Sequence, residues 1–210
     1  MSRPRPGSSS IRNAAITMGG ALVSFTPLMQ KHLTARARAM LARSLVCFPE
    51  LQGRSITVGF TRAHLGSAVM SLPRAREARL IIRLKVRKLT YQTIGHELTH
   101  LVQGLSLSHW PSLHQRIPSG EAQCDVWTLA RHELFCDDPP TYIKVPRVIR
   151  EHWRDYAIAV RRLCIAAIDK RAVTRTYLRW LEAEIRALAS TSNRQKPAPV
   201  QLALPFVDRA

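Results

Sequence analysis

The chain of 210 residues predicts an α+β domain in which a small mixed sheet is followed by helices. Three observations predict it. Residues 55–61 (S-I-T-V-G-F-T) alternate apolar and polar, the period of a half-buried strand. Residues 78–88 repeat that period, with Leu80, Ile82, Leu84 and Val86 on one face. From Thr90 onward the apolar spacing becomes helical and stays so almost to the end.

Taken in order, residues 1–25 are expected to form a flexible basic arm. The first 13 are rich in Arg, Pro, Gly and Ser, and the weakly apolar run 14–25 is interrupted by Gly19-Gly20. No small-residue cleavage site follows, so a signal peptide is not expected. The domain proper is expected over residues 26–188. Thr26 reads as a helix N-cap with Pro27 at the first helical position. Leu33, Ala37, Met40, Leu41 and Leu45 then recur at helical spacing over 28–48, up to the breaker Pro49.

After strand 55–61, residues 65–72 read as a turn and a short strand, and 73–77 as a loop. In strand 78–88 the charges Arg79, Arg83, Lys85 and Arg87 fit an edge position, where they discourage unwanted pairing. An exposed edge can also hold a peptide by strand addition. A helix is expected over 91–104, capped by Thr90 and stopped by Gly104. A loop over 105–118 carries His109, Trp110 and His114. Ser119 is the expected cap of a helix over 121–135, which Asp137-Asp138-Pro139-Pro140 ends. Pro146 opens a third helix to about Asp169, and 172–188 makes a fourth. Their apolar positions, among them Trp153, Val160, Leu181 and Ile185, read as packing faces. Residues 189–210 form a polar tail that contains prolines.

Composition narrows the function. Lys and Arg number 32 against 14 Asp and Glu, for a formal net charge of +18. Such a balance favours polyanionic partners, DNA among them, or a solvated Arg-rich surface. The four cysteines, Cys47, Cys124, Cys136 and Cys164, form no C-x-x-C pair, which suits reduced thiols in the cytoplasm. No apolar run approaches the roughly 20 residues of a membrane span, so no membrane partner is expected.

The chemistry sits in His96-Glu97-Leu98-Thr99-His100. Residues four apart lie one turn apart on one helix face, so both imidazoles can reach a single metal ion. Glu97, at the edge of that face, can hold a water and take its proton. Two surface histidines on an amphipathic helix would give the same pattern. A catalytic zinc takes three protein ligands. Glu121, at the start of the next helix, is the candidate third. Asp125, four residues on, shares its face and can accept a hydrogen bond from a ligand imidazole. His114 and His109 compete for the third position.

The pair His96-Glu97-x-x-His100 and Glu121-x-x-x-Asp125 resembles the gluzincins, and the order of elements over residues 55–135 looks like the compact minigluzincins. The resemblance implies a zincin-like fold and a zinc-dependent metallopeptidase. In it His96, His100 and Glu121 bind Zn2+, and Glu97 is general base and then acid toward a zinc-activated water. Asp125 orients a ligand histidine, most readily His96, and the substrate is a protein or peptide. Tyr142, His109, His114 and His132 are candidate donors to an oxyanion. The sequence departs from the thermolysin group at Ala122, where that group has Asn. His114 keeps a SprT/Spartan-like protease open, although Gln115 stands where that family has Gly. An IrrE/ImmA-like regulatory protease, which also pairs HExxH with a downstream glutamate, competes with these. So does a non-catalytic basic nucleic-acid-binding protein.

The tail contains Gln201, Leu202, Leu204 and Phe206, spaced as in the short peptides that dock bacterial proteins on the replication sliding clamp. That resemblance implies Leu204 and Phe206 in an apolar pocket and Gln201 at its rim. A segment covering the domain's own core is the competing reading.

Overall fold

The computed structural model describes residues 15–71, 79–109 and 116–194. Among them, five strands form one mixed sheet: β1 (Ile16–Met18), β2 (Ala21–Phe25), β3 (Ser55–Phe60), β4 (Gly66–Ser71) and β5 (Arg79–Leu84), in the order β1-β2-β3-β5-β4. Strands β2, β3 and β5 run parallel, and β1 and β4 are antiparallel edges.

Two strands fall in the segment expected as a basic arm. Gly19 and Gly20 do not interrupt that segment; they fold it. Both have positive φ, 53° and 82°, and Met18 pairs with Ala21 across them. This is the two-residue hairpin turn that tolerates only residues free to enter the left-handed region. Strand β5 is also not an edge. It lies between β3 and β4, and its charges have another cause: Leu80, Ile82 and Leu84 are buried under helices, while Arg79 and Arg83 emerge on the uncovered face.

Seven helices complete the fold of the described residues: α1 (Pro27–His32), α2 (Ala35–Val46), α3 (Tyr91–His109), α4 (Glu121–Arg131), α5 (Arg147–Glu151), α6 (Trp153–Arg171) and α7 (Tyr177–Arg194). Several expected boundaries move. The first helix breaks at Leu33-Thr34, because Thr34 takes an extended backbone and its side chain caps α2 at Ala37 N, 3.1 Å away. Gly104 does not stop α3, which continues to His109. The α4 helix ends at Arg131, where His132 turns extended and a 3-10 turn (Glu133–Cys136) follows. His152 separates α5 from α6. The last helix starts later than expected and runs six residues into the expected tail.

The described residues form two hydrophobic clusters. The first joins the inner sheet face (Val23, Ile56, Val58, Leu80, Ile82) to α2 and α3 through Leu41, Leu45, Ile94, Leu98 and Leu101. The second gathers Val126 and Leu129 of α4 with Trp153, Val160, Leu181 and Ile185 of the C-terminal helices. Thus α4 packs on α3 with one face and serves the second cluster with another. That crossing is close. A methyl group on Gly95 would lie 2.6 Å from Phe135 Cδ1 and 2.7 Å from Thr128 Cγ2. Beside it, Thr99 Oγ1 and Thr128 Oγ1 share a buried hydrogen bond of 2.8 Å.

Candidate metal centre

The start of α3 is held from a distance. Thr90 Oγ1 accepts from Thr93 N at 3.1 Å, the expected cap. Beyond it, the Asp137 carboxylate accepts from Tyr91 N at 2.7 Å and Gln92 N at 2.8 Å. These amides have no partner within the helix, and a carboxylate also suits the positive end of its dipole. The helix that carries both histidines is therefore oriented by a residue 45 to 46 positions downstream.

The close α3–α4 crossing brings the first residue of α4 over the two imidazoles. Glu121 Oε2 lies 3.0 Å from His96 Nε2 and 3.0 Å from His100 Nε2. Behind them, the other ring nitrogens are engaged. His96 Nδ1 lies 2.9 Å from Oδ1 of the fully buried Asp125. Asp125 also accepts from Gln92 Nε2 at 3.0 Å, Tyr142 N at 2.6 Å and Ile143 N at 3.1 Å. With both carboxylate oxygens accepting, His96 Nδ1 is the donor, so a proton lost from the ring leaves from Nε2 and exposes its lone pair there.

His100 is set in the same way by Gln103. The Gln103 amide nitrogen donates to the carbonyls of Pro118 and Gly120, so Oε1 is the atom that faces His100 Nδ1 at 3.0 Å. Gln103 Oε1 can therefore accept from Nδ1, an arrangement that leaves Nε2 to face Glu121. His96 Nε2, His100 Nε2 and Glu121 Oε2 thus meet at one point, where each can offer an electron pair to a cation that displaces the protons.

That donor set fits zinc. Bonds of about 2.0–2.1 Å in a tetrahedron would place ligand atoms about 3.3 Å apart, against 3.0 Å from Glu121 Oε2 to each Nε2. His96, His100 and Cys124 also bring ligand atoms within 4.8 Å of one another. Cys124 Sγ, however, meets His100 at Nδ1, 3.2 Å away, on the ring edge turned from Glu121. Burial, and then the carboxylates of Glu121, Asp125 and Glu97, push the Cys124 thiol up. Glu121 Oε2, by contrast, faces the Nε2 atoms of both histidines.

Glu97 lies beside the triad and is almost fully buried. Burial pushes its carboxyl up to about 7, with His96 opposing and Glu121 adding to the rise. Burial would lower His96, but Asp125 and Glu121 outweigh it and hold the imidazole above its ordinary value. Burial would raise Glu121, yet the two imidazoles hold it below the usual carboxylate range. A cleft of about 190 Å³ opens over His96 and Glu97, bordered by Gly66, Thr93 and Tyr142. The Tyr142 ring stacks on His96 at 5.4 Å between centroids and is half exposed. Its phenol is raised by burial and then by the carboxylates around it, so it keeps its proton.

The structure brings together His96, Glu97, His100, Glu121 and Asp125, with Tyr142. It does not bring His132, whose Nδ1 accepts from Leu134 N in a local turn. Ser119 does not cap α4; Gly120, at φ 118°, holds the N-cap position with no side-chain bond. The side chain of His109, together with Trp110, His114 and the peptide Gln201–Phe206, lies outside the described residues. Sequence reasoning missed Gln92 and Gln103. Their signal was present: 92, 96, 100 and 103 share one helical face. Asp137 had no such signal. Comparison with protein-family models, with curated proteins and with solved structures gives no match.

Proposed function

We propose that this chain is a zinc-dependent metallopeptidase of gluzincin type. The observation that carries the reading is the convergence of His96 Nε2, His100 Nε2 and Glu121 Oε2 on one point, with a partner behind each ring. Zinc held there would supply a Lewis acid for a scissile carbonyl and lower the pKa of a water toward about 7.

The chain's own residues supply the rest. Glu97, at the floor of the cleft, accepts a proton from the attacking water and returns it to the leaving amine. Strand β4 is the sheet edge on this side, and its outer backbone groups can pair with an extended peptide. Gly66 at its start lies against the Glu97 side chain, so a peptide on that edge passes the base. Tyr142, protonated and stacked over His96, is the nearest candidate donor to a developing oxyanion. The four cysteines are free, which suits a reducing compartment and supports a cytoplasmic location. Among the described residues, no helix is long and apolar enough to cross a membrane.

Metal analysis of the purified chain tests the reading. Near one zinc per chain in wild type, lost in Glu121→Ala and kept in Cys124→Ala, is the expected result. Retention in Glu121→Ala with loss in Cys124→Ala would move the ligand set to the thiol. A zinc-loaded Glu97→Gln chain should show no turnover of a fluorogenic peptide mixture that wild type cleaves. Absence of zinc after reconstitution would overturn the proposal.

A further inference from the structure

We infer that the groove between the α1–α2 junction and the end of the sheet binds single-stranded nucleic acid. It is a hollow of about 710 Å³ at the opposite end of α1 from its cap. Lys31, Arg62, Lys85 and Arg87 line it together with His32 and Phe60. No carboxylate lines it, and none of the four cations has an ion pair among the described residues. Four like charges around one concavity repel one another unless a counter-charge enters, so the groove favours a polyanion.

The rings decide which polyanion. His32 and Phe60 stack at 4.0 Å between centroids with planes 19° apart, both half buried at the groove wall. Stacked rings beside a line of cations are the two parts of a single-strand platform: the cations follow phosphates while a base extends the stack. An acidic peptide would use the charges but has no use for the rings.

The groove leads to the metal site. Thr34, Val86 and Arg87 border both it and a second hollow of about 420 Å³, which adds Arg36 and Lys88. That hollow reaches Leu65, which also borders the cleft over His96 and Glu97. Asp138 is the one carboxylate lining either hollow among the described residues. A strand in the groove would thus approach the cleft from one side. Binding itself does not depend on the metal or on peptidase activity.

The test is fluorescence anisotropy of a labelled 20-nucleotide oligo-dT with the full chain over a salt series. Lys85→Gln with Arg87→Gln should weaken binding at least tenfold near physiological salt. It should also reduce the slope of log affinity against log salt by about 1.4, since each single-strand phosphate contact contributes about 0.7. His32→Ala should cost about fivefold with the slope unchanged, as expected for a lost stacking partner. The exposed pair Arg179→Gln with Arg186→Gln removes the same charge from α7 and should change affinity less than twofold. Equal losses in the groove and α7 variants would overturn the site, as would no oligonucleotide binding by wild type. Polyglutamate binding as tightly, or a duplex binding more tightly with no His32 effect, would overturn the single-strand assignment. Oligonucleotide binding retained in zinc-free Glu121→Ala is expected, so this inference and the peptidase proposal can fail separately.

Discussion

Gly66 lies against Glu97: a methyl group at position 66 would sit 2.4 Å from Glu97 Oε1 and 2.7 Å from its Cγ. The edge strand and Glu97, the base of the proposed reaction, therefore share one van der Waals surface. Glu97 is almost fully buried and has little room to retreat. Gly66→Ala should displace the carboxylate and cut peptide turnover at least tenfold, because a misplaced base loses most of its contribution of about 10²–10⁴-fold. Zinc content should not change, since the three atoms nearest to that methyl group all belong to Glu97. Turnover measured beside metal analysis checks both parts.

Gln103 is not a ligand in the proposed centre, yet its Oε1 faces His100 Nδ1 at 3.0 Å and can orient that imidazole. Gln103→Leu removes that partner without a large change in volume. Zinc affinity should fall about 10- to 100-fold, the usual effect of losing a group that orients a ligand imidazole. Competition with a chromophoric chelator reads the change, and far-ultraviolet circular dichroism should match wild type.

Asp137 gives the motif helix two charge-assisted hydrogen bonds at its positive end. Asp137→Ala should cost about 1–2 kcal/mol. For a chain of this size each kcal/mol is worth about 2–4 °C of Tm. Differential scanning calorimetry on the metal-free protein is the direct measurement. Asp137→Glu should recover only part of the loss, because its longer side chain must bend to reach the same amides.

Gly95 sets the distance between the helix bearing the histidines and the helix bearing Glu121. Gly95→Ala pushes a methyl group into Phe135 and Thr128. Overpacking of this kind costs about 1–3 kcal/mol. It should also weaken zinc binding, because α4 has to move away. A variant that lost stability but kept its zinc affinity would show that the helices yield elsewhere.

The metal-free protein should also report on Glu97 through pH. Its folded carboxyl is raised to about 7 from an ordinary 4.5, mainly by burial. Between these values the folded chain holds a proton that the unfolded chain has released. Stability should therefore fall as pH rises from about 4.5 to about 7, by about 3 kcal/mol in total, and level off above. The difference between urea-unfolding curves of wild type and Glu97→Gln over that range isolates this one group.

How much of this was legible depends on how local each feature is. His96, Glu97 and His100 lie within one helical turn and a half, and Glu121 and Asp125 lie on one face of the next helix. Their spacing carries their arrangement. The convergence of Glu121 on both imidazoles is another matter. It depends on Gly95 and Thr128 letting two helices close up, and no periodicity encodes that distance. The hairpin of β1 and β2 was written in Gly19-Gly20, but its strands are short and the β3 partner of β2 is more than thirty positions away. The charges on β5 misled for a related reason: a strand in the middle of a sheet with one uncovered face carries the same alternation as an edge. Asp137 was hidden because a cap that arrives from another part of the chain leaves no mark near the helix it caps.

That remote cap bears on how short the chain can be made. A fragment ending at Phe135 would contain every residue of both candidate metal motifs. It would lack the carboxylate that starts α3, and also the amides of Tyr142 and Ile143 that seat Asp125. The smallest piece able to assemble the centre therefore extends at least through Ile143. An excised stretch chosen by its motifs alone would carry all the candidate ligands but lose the Asp137 cap and two of the groups that seat Asp125.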